Sequence, residues 1–373
     1  METATIDKTA TPFRVALTGG GTGGHLFPGV AICRELSARF PAAEVLFIGT
    51  GRPLERKIIA AAGYRHAMIT VRGFKGMGLL RKLMALAVLP GSVLRAAGIL
   101  WRFRPRLVIG VGGYAAGPVC LAAYLLRIPI CLQEQNLLPG VTTRMLAGLA
   151  RRIYTAFEDT GTNFPPGKVL VTGNPVREEI RRLASRSASR RATEPFTVLI
   201  VGGSQGAQGI NRAVAEMLAC ACGQNNIRFI HQTGADDLER MREAYRAANL
   251  KADVRAFFDD MERQYQQADL IVCRAGASTV AELTCIGKPV VFIPFPHAAD
   301  NHQELNARLL VDRGAGDMLR EVDLSGVVLW EKIGHYRSHP EELARMGRNA
   351  RAMGRPDAVV AIVDDMLNRG LRS

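Results

Sequence analysis

A chain of 373 residues that is 48% hydrophobic and 22% charged has the composition of a globular protein, and its length suits two domains of comparable size. No stretch reaches the roughly 18 apolar residues needed to cross a bilayer, and residues 1–12, which lack a secretory pattern, are expected to form a disordered tail. The 7 cysteines form no C-x-x-C pair, which disfavours a structural zinc site and disulfides and fits a reducing cytoplasm.

The net charge of +14 is concentrated in the first half of the chain. Residues 1–175 hold 21 Lys and Arg against 8 Asp and Glu, whereas the remainder holds 27 against 26. Such an excess attracts an anionic surface, either phospholipid or nucleic acid. Residues 71–106 interleave their basic side chains with Leu and Met, which is more typical of a membrane interface than of a nucleic-acid-binding face. We therefore expect docking on anionic phospholipid through Phe74–Leu89; the alternative is that these apolar residues belong to the core.

Short apolar runs separated by helical patterns predict two parallel sheets. The predicted strands are, in chain order, Arg14–Thr18, Glu44–Ile48, Leu107–Gly110, Ile130–Gln133, Arg152–Tyr154, Thr197–Val201, Ile227–Gln232, Val254–Phe257, Leu270–Cys273 and Val290–Ile293. The first and the sixth of these strands each run into a glycine turn and then a helix, over Leu26–Phe40 and Gln208–Cys222. A strand, a glycine turn and a helix form the opening of a doubly wound α/β domain.

The repeated opening predicts two Rossmann-like doubly wound domains. We place the N-terminal domain at residues 13–172 and the C-terminal domain at residues 173–373, with the last helix as a candidate to pack back on the N-terminal domain.

The turn Gly19–Gly24 exposes backbone N–H groups at a helix N-terminus, where an anion is stabilised. A dinucleotide-binding turn needs an acidic residue about 20 positions further on, but that place is Gly49–Gly51, with no acid until Glu55. The Gly-Lys-Ser/Thr of a P-loop is also missing. His25 stands at the junction of turn and helix, where an imidazole is kept neutral and able to accept a proton.

Seven segments, in their order along the chain, resemble the MurG family of N-acetylglucosaminyltransferases, which convert lipid I to lipid II in peptidoglycan synthesis. They are GGGTGGHLFPGVAI (19–32), GVGGYAAGP (110–118), QEQNLLPGVTTR (133–144), GNPVR (173–177), GGSQGAQGIN (202–211), AGASTVAEL (275–283) and PFPHAADNHQELNA (294–307). The resemblance spans residues 14 to about 365.

This resemblance implies a GT-B architecture, in which two Rossmann-like domains face a cleft. The acceptor, lipid I, would bind mostly to the first domain, and the donor, UDP-N-acetylglucosamine, mostly to the second. The transfer would invert the anomeric centre, would use no cofactor, and would take place at the cytoplasmic side of the cell membrane by a peripheral enzyme. Other cell-wall synthesis proteins are candidate partners.

The resemblance also assigns donor-binding roles in the second half. The residues concerned are Arg177, Ser204, Phe258, Ala277, Ser278, Thr279, Val280, Ala281, Glu282 and Gln303. Glu282 would accept hydrogen bonds from the ribose hydroxyls, Phe258 would present its backbone to uracil, and Gln303 would bind the sugar hydroxyls. Ser204 and Arg177 would contact the diphosphate.

The first half of the chain contains candidate residues for contacting the donor, for contacting the acceptor and for acting as the base. The residues that would close over the donor are Thr22, Gly23, Gly24 and Asn136. Tyr114 is a candidate contact of the acceptor diphosphate, with packing inside the domain as the equal alternative. His25 and Glu134 are the candidate bases; we favour His25 and give Glu134 a supporting role.

Two positions depart from the family pattern. Gln133 stands where many relatives have His, so it is not expected to be an essential base, and Ser278 replaces a common Leu. No Asp-x-Asp triplet occurs, so a metal-dependent transferase is disfavoured.

Three other functions remain open at this stage. A GT-B transferase with another lipid acceptor shares the donor half, although the GVGGY and QEQN segments argue against it. A UDP-sugar epimerase shares the architecture, and a basic nucleic-acid-binding module is the alternative that is not an enzyme.

Overall fold

The computed structural model of the chain describes residues 13–20, 23–71, 79–185, 195–203, 206–220 and 226–368. The predicted tail at residues 1–12 lies outside them. The strands are β1 (Arg14–Thr18), β2 (Glu44–Gly49), β3 (Arg65–Met68), β4 (Leu107–Gly110), β5 (Ile130–Glu134), β6 (Arg152–Thr155), β7 (Val169–Val171), β8 (Phe196–Val201), β9 (Ile227–Gln232), β10 (Lys251–Arg255), β11 (Leu270–Cys273), β12 (Val290–Phe292) and β13 (Asp317–Met318).

The helices lie between these strands, with three more after β13. They are α1 (Gly23–Arg39), α2 (Pro53–Ala61), α3 (Leu79–Phe103), α4 (Ala116–Leu125), α5 (Val141–Leu146), α6 (Glu178–Ala184), α7 (Gln208–Cys220), α8 (Leu238–Ala247), α9 (Met261–Gln267), α10 (Ala277–Ile286), α11 (His302–Asp312), α12 (Gly326–Ser338), α13 (Pro340–Met353) and α14 (Ala358–Asn368). Short 3-10 helices occupy Asp159–Asn163, Ala299–Asn301 and Glu321–Asp323.

Both sheets are parallel and share one topology. The first has the order β3-β2-β1-β4-β5-β6-β7 and the second the order β10-β9-β8-β11-β12-β13. In each sheet the order reverses beside the first strand, between β1 and β4 and between β8 and β11. This is the doubly wound topology, so the prediction of two Rossmann-like sheets is confirmed.

The strands at the four sheet edges are those that the sequence analysis missed or misplaced. The β10 strand was predicted at Val254–Phe257 but lies at Lys251–Arg255, and β3, β7 and β13 were not predicted. An inner strand of a parallel sheet is covered on both faces and appears as an apolar run, whereas an edge strand does not. The residues of β3 and β10, accordingly, are mostly exposed or half-buried.

The chain forms two compact units whose bounds differ from the predicted domains. The first comprises residues 1–135, 139–175 and 357–373, and the second comprises residues 136–138 and 176–356. The chain therefore leaves the first unit after Pro175 rather than after residue 172, and α14 belongs to the first unit.

The helix α14 is held to the first unit by apolar and polar contacts. Its buried apolar side chains join the core around β1 and α1; they are Val359, Ile362, Val363, Met366 and Leu367. Asp365 accepts hydrogen bonds from Arg152 at 2.9 and 3.1 Å and from the Tyr154 hydroxyl at 3.0 Å.

Two global features bear on the earlier expectations. Across the described parts of the chain, no helix is long and apolar enough to span a membrane. The described free cysteines are all buried; they are Cys33, Cys120, Cys131, Cys273 and Cys285. Burial raises the thiol pKa of Cys33 and of Cys120 to about 12, which makes these thiols unreactive.

Candidate active site

The first unit places two glycine-containing loops next to each other where its strand order reverses. The loop after β1 begins with Gly19 and Gly20, and the loop after β4 contains Gly112 and Gly113. Gly113 has a φ of +80°, and any side chain at this position would collide with the Gly20 carbonyl. Because open α/β sheets bind ligands at this reversal point, these loops mark the candidate site of the first unit.

His25 lies in the first turn of α1 and contacts this site. Its Nδ1 is 2.7 Å from Oε1 of Gln135, the residue that follows β5. A β-carbon at Gly112 would stand 3.3 Å from the same nitrogen, so the imidazole lies against the backbone of the loop after β4. The sequence analysis singled out His25 but not Gln135, although Gln135 is part of the QEQN segment.

Glu134, the second candidate base, is the last residue of β5 and is only 2% exposed. Its Oε2 accepts a hydrogen bond from the backbone N–H of Gly140 at 3.1 Å, at the N-terminus of α5. A carboxylate in this place satisfies a helix-terminal amide. Glu134 is therefore part of the turn that begins α5.

Gln133 is fully buried and supports its neighbours. Its side-chain oxygen accepts a hydrogen bond from Gln135, and its Nε2 donates to Oδ1 of Asn174 at 3.1 Å. Nearby, Tyr114 directly follows the glycines of the β4 loop and is 40% exposed, so its hydroxyphenyl group is accessible to a ligand.

Three predicted residues belong to the glycine turn itself. Gly23 and Gly24 are the first two residues of α1, and Thr22 lies outside the described residues.

Glu55 is a buried carboxylate that the sequence analysis placed too far along the chain to matter. In the structure it folds back to the end of β2, where its oxygens accept hydrogen bonds from the Thr50 N–H and hydroxyl, each at 2.8 Å, and from the Gly51 N–H at 2.9 Å. A side chain at Gly20 would collide with it. These three bonds tie Glu55 to the loop after β2, which it stabilises.

The second unit repeats the arrangement between β8 and β11. After β8 the chain turns through Gly202 and Gly206, and a β-carbon at Gly202 would lie only 2.5 Å from the Ala207 nitrogen. This turn needs glycine, as the first one does. Ser204, predicted to contact the diphosphate, lies outside the described residues.

A buried polar network supports this turn. Asn211 donates to the Thr233 carbonyl at 2.9 Å and to Asp237 Oδ2 at 2.7 Å, so its own Oδ1 is the acceptor that meets Nε2 of His231 at 3.1 Å. The other ring nitrogen of His231 is 3.3 Å from the Tyr245 hydroxyl. Burial lowers the pKa of His231 from 6.5 to about 3, so this histidine is neutral and structural.

Arg177 and Glu282, predicted to meet the diphosphate and the ribose separately, form an ion pair. The Arg177 Nε and Nη2 lie 2.8 and 3.1 Å from the two Glu282 oxygens, and the Tyr265 hydroxyl donates to Oε2 at 3.0 Å. Burial lowers the pKa of Arg177, but the Glu282 carboxylate outweighs burial and raises it above its ordinary value. Burial and the same carboxylate raise the pKa of Tyr265, which keeps its hydroxyl a donor.

The first residues of α10 were predicted to lie along the donor. Gly276, the N-cap, is extended and supplies no side chain to the first-turn amides, a setting that favours an anion at the helix N-terminus. Ala277, Val280 and Glu282 are buried in the unit. The half-buried positions are Ser278, Thr279 and Ala281.

Phe258 and Gln303 each form a hydrogen bond between a backbone amide and a side-chain oxygen. The Phe258 N–H donates to Gln232 Oε1 at 3.0 Å, and its ring lies beneath the Arg255 guanidinium. Gln303 Oε1 accepts from the Phe295 N–H at 3.0 Å. The groups with which these residues would meet a donor are therefore the Phe258 carbonyl and the Gln303 amide nitrogen.

Asn136 was predicted to close over the donor from the first half of the chain, and its contacts in the structure are with residues of the second unit. Asn306, fully buried in α11, accepts from the Leu137 N–H at 3.1 Å and donates to Asn136 Oδ1 and to the Ala275 carbonyl, each at 3.3 Å. These bonds anchor residues 136–138 in the second unit.

The sequence analysis did not name Arg274 as a candidate site residue, although it directly follows β11, a strand that was predicted correctly. It donates to the carbonyls of Ile293 and Pro294 at 3.1 Å, pairs with Glu321 at 2.5 Å, and lies over the Phe295 ring. A charged residue immediately after a strand at the reversal point is the signal that could have found it.

His302 and Asn301, at the start of α11, have local roles. The His302 Nδ1 lies 2.7 Å from the Ala299 carbonyl, and Asn301 donates to Glu304 at 2.8 Å rather than capping a backbone amide. Among the described residues, no group of three or more His, Cys, Asp or Glu is arranged to hold a metal ion.

Both units match models of one enzyme family. The N-terminal domain of glycosyltransferase family 28 matches residues 15–155, and its C-terminal domain matches residues 197–362. A relative from Myxococcus xanthus is 45% identical over 352 residues, 94% of this chain and 91% of the relative. One from Geobacter sulfurreducens is 45% identical over 356 residues, 95% of this chain and 98% of the relative. Both are named UDP-N-acetylglucosamine–N-acetylmuramyl-(pentapeptide) pyrophosphoryl-undecaprenol N-acetylglucosamine transferase.

Solved structures agree on the fold. The crystal structure of MurG from Acinetobacter baumannii is 30% identical, with a TM-score of 0.78, and the match covers 96% of this chain and 100% of that one. A UDP-GlcNAc 2-epimerase from Neisseria meningitidis has a TM-score of 0.65 at 15% identity, covering 95% of this chain and 100% of that one, a likeness of fold alone. The architecture is therefore GT-B, and the chain belongs to glycosyltransferase family 28, among its N-acetylglucosaminyltransferases.

Proposed function

We propose that this chain transfers N-acetylglucosamine from UDP-N-acetylglucosamine to the 4-hydroxyl of the undecaprenyl-diphosphate-linked N-acetylmuramyl-pentapeptide, which converts lipid I to lipid II. The observation that carries this proposal is the match, at 45% identity over 94% of the chain, to relatives named for this transfer. Peptidoglycan synthesis is the process that this reaction serves.

The donor would bind to the second unit. The Glu282 carboxylate, oriented by Arg177 and Tyr265, offers oxygen acceptors suited to the two ribose hydroxyls. The N-terminus of α10 favours the negative charge of the diphosphate. Uracil would meet the Phe258 backbone, and the sugar would meet Gln303.

The acceptor and the base would belong to the first unit. Inverting transfer requires a group that takes the proton of the attacking hydroxyl as the new bond forms. His25 is half-buried at the reversal point, whereas Glu134 is buried and occupied by the Gly140 amide. We therefore assign the base to His25 and the support of the neighbouring turn to Glu134.

Charge that develops on the UDP leaving group must be stabilised during transfer. We propose that Arg177, Ser204 and the amides at the start of α10 supply this stabilisation without a metal ion. Assays in EDTA test this part: activity should be largely retained, and complete loss that magnesium restores would contradict it.

We also propose that the enzyme docks peripherally on the anionic cytoplasmic leaflet, where its acceptor is anchored. Residues 74–78 of the predicted docking segment Phe74–Leu89 lie outside the described residues, as do the side chains of 79–87, but α3 continues to Phe103. In that part, Leu94 and Trp101 are 74% and 64% exposed and lie one position before Arg95 and Arg102, which are also exposed. Exposed apolar and basic side chains on one helix suit an anionic membrane surface.

Sedimentation with vesicles tests the docking. Binding to anionic vesicles should weaken with salt and with Arg81→Glu/Lys82→Glu, and Trp101→Ser should weaken the part that salt does not screen. Equal binding to neutral vesicles, or no effect of the charge reversals, would contradict the proposed surface.

The function itself is tested with UDP-N-acetylglucosamine and a lipid-linked muramyl-pentapeptide. The acceptor should gain the mass of one N-acetylhexosamine while UDP is released, and the new linkage should have inverted anomeric configuration. Conversion of the UDP-sugar without an acceptor would indicate an epimerase, and transfer only to another lipid would indicate a different acceptor class.

A further inference from the structure

The hydrogen bond between His25 and Gln135 joins the proposed base to a buried amide, and Gln135 has no assigned role so far. Gln135 is 1% exposed and follows β5 directly, so its side chain is fixed by the sheet beneath it. We propose that Gln135 is a positioning residue, which holds the His25 imidazole in the tautomer that leaves Nε2 unprotonated and able to accept the proton of the acceptor hydroxyl. This inference rests on the proposed function only for the identity of that proton.

The orientation of the Gln135 amide follows from its surroundings. Its Nε2 lies 3.1 Å from the Val111 carbonyl, 3.1 Å from the Gln133 carbonyl, and within hydrogen-bonding distance of the Gln133 side-chain oxygen. All three neighbours are oxygen atoms. If the amide were turned over, its oxygen would face these acceptors with no hydrogen between them, so the nitrogen must point towards them.

The amide orientation in turn decides the protonation of His25. With Nε2 of Gln135 committed to the carbonyls, the group that faces the imidazole is Oε1, which only accepts hydrogen bonds. The 2.7 Å separation therefore requires a proton on Nδ1 of His25. A neutral imidazole protonated on Nδ1 has its lone pair on Nε2, which is the form that a general base needs.

Two of the three acceptors are main-chain carbonyls, which substitution of a side chain leaves in place. Val111 follows β4 and Gln133 lies within β5, and β4 and β5 pair in the first sheet. The sheet therefore fixes the orientation of the Gln135 amide, and the amide fixes the tautomer of His25. This is how a protein holds a catalytic group in one geometry at no cost during the reaction.

The first measurement is the protonation of His25 itself, which does not depend on activity. In the full-length protein labelled with [¹⁵N]histidine, the two ring nitrogens have distinct ¹⁵N shifts when one carries a proton and the other does not. His25→Gln identifies the signal. In the neutral form of the ring, the wild-type protein should show a protonated Nδ1 and an unprotonated Nε2. A protonated Nε2 would overturn the proposal.

The second measurement compares two neighbouring glutamines. Gln135→Leu removes the acceptor, so the Nδ1–H signature should be lost or mixed, and Gln135→Met repeats the test if leucine disturbs folding. Gln133→Leu is the matched control, because it is the same change two residues away and leaves both main-chain carbonyls to orient Gln135. It should keep the wild-type signature. An unchanged signature in both Gln135 variants would overturn the proposal.

Kinetics then separate this inference from the proposed function. Gln135→Leu should lower kcat about tenfold or more while the KM for UDP-N-acetylglucosamine stays nearly unchanged, since only the base is displaced. If the tautomer changes but kcat does not, the positioning by Gln135 stands and the assignment of His25 as the base is refuted.

Discussion

The two units offer the same backbone at the point where their strand order reverses, but they hold different chemistry there. In the first unit, His25 lies against a glycine loop and bonds to the neutral amide of Gln135. In the second unit, α10 carries the Glu282 carboxylate, which pairs with Arg177, and the N-terminus of α10 has no side-chain cap. The shared topology supplies a place for a ligand, and the side chains decide whether that place suits proton transfer or an anionic donor.

A comparison of two histidines makes the same point. In each, an amide fixes the tautomer, but Gln135 leaves His25 with a proton on Nδ1, whereas Asn211 leaves His231 with a proton on Nε2. His25 is half-buried and His231 is fully buried, with its pKa lowered to about 3. Accessibility therefore separates a candidate base from a structural residue.

The largest expected difference between the units concerns the C-terminal helix. Deletion of residues 357–373 removes five buried apolar side chains from the first core, each worth roughly 1.5–3 kcal/mol, a sum comparable to the whole stability of a domain. Hydrogen exchange should show loss of protection in the first unit and retention in the second. Deletion of residues 369–373 alone, the matched control, leaves α14 in place. Full protection of the first unit in the longer deletion would contradict this prediction.

The next effect separates the two candidate bases. His25→Ala should lower turnover by ~10²-fold or more, with UDP binding and thermal stability nearly unchanged. Glu134→Ala should also lower turnover, but with a loss of ~1–2 kcal/mol in stability, because the Gly140 amide loses its acceptor.

Glu134→Gln serves as the control for this pair, since its amide oxygen can still accept that hydrogen bond. It should restore stability and most of the turnover if His25 is the base. Loss of turnover in Glu134→Gln at full stability, with near-normal turnover in His25→Ala, would reverse the assignment.

In the second unit, Glu282→Ala should weaken UDP-sugar binding by about 1–3 kcal/mol, the scale of lost hydrogen bonds to a charged group. Tyr265→Phe removes only the hydrogen bond that orients Glu282, so its effect should be smaller, about 1 kcal/mol. Calorimetry with UDP measures both, and neither change should alter the tautomer of His25. Unchanged UDP affinity in a folded Glu282→Ala protein would exclude Glu282 from the site.

The last effect concerns how stability depends on pH. The pKa of His231 is lowered from 6.5 to about 3, so the unfolded chain takes up this proton first as the pH falls. The stability that the neutral His231 contributes is fully present above pH 6.5 and declines by about 1.4 kcal/mol per pH unit below it. The loss therefore reaches ~2 kcal/mol at pH 5. Denaturant unfolding of the wild type and of His231→Gln, each measured above pH 6.5 and at pH 5, isolates this contribution. An equal loss of unfolding free energy between these two pH values in both proteins would contradict it.

The sequence by itself determined the inner architecture of both sheets and the family. Each of the nine strands that are not at an edge was predicted to within one or two residues at its ends, because a strand buried on both faces must be a continuous apolar run. The glycine turns could also be recognised from the sequence. Where two loops meet at the reversal of the strand order, only glycine fits, as at Gly113. The ordered motifs identified the same family as the later comparisons.

Only the tertiary structure decided which side chains act together. Gln135 and His25 are 110 positions apart in the chain, and Arg177 and Glu282 are 105 apart, so no local pattern relates them. The return of α14 to the first unit and the transfer of residues 136–138 to the second depend on buried contacts over still longer separations. Amphipathic patterns indicate that a side chain is buried, but its neighbour across the core is fixed only when the elements pack.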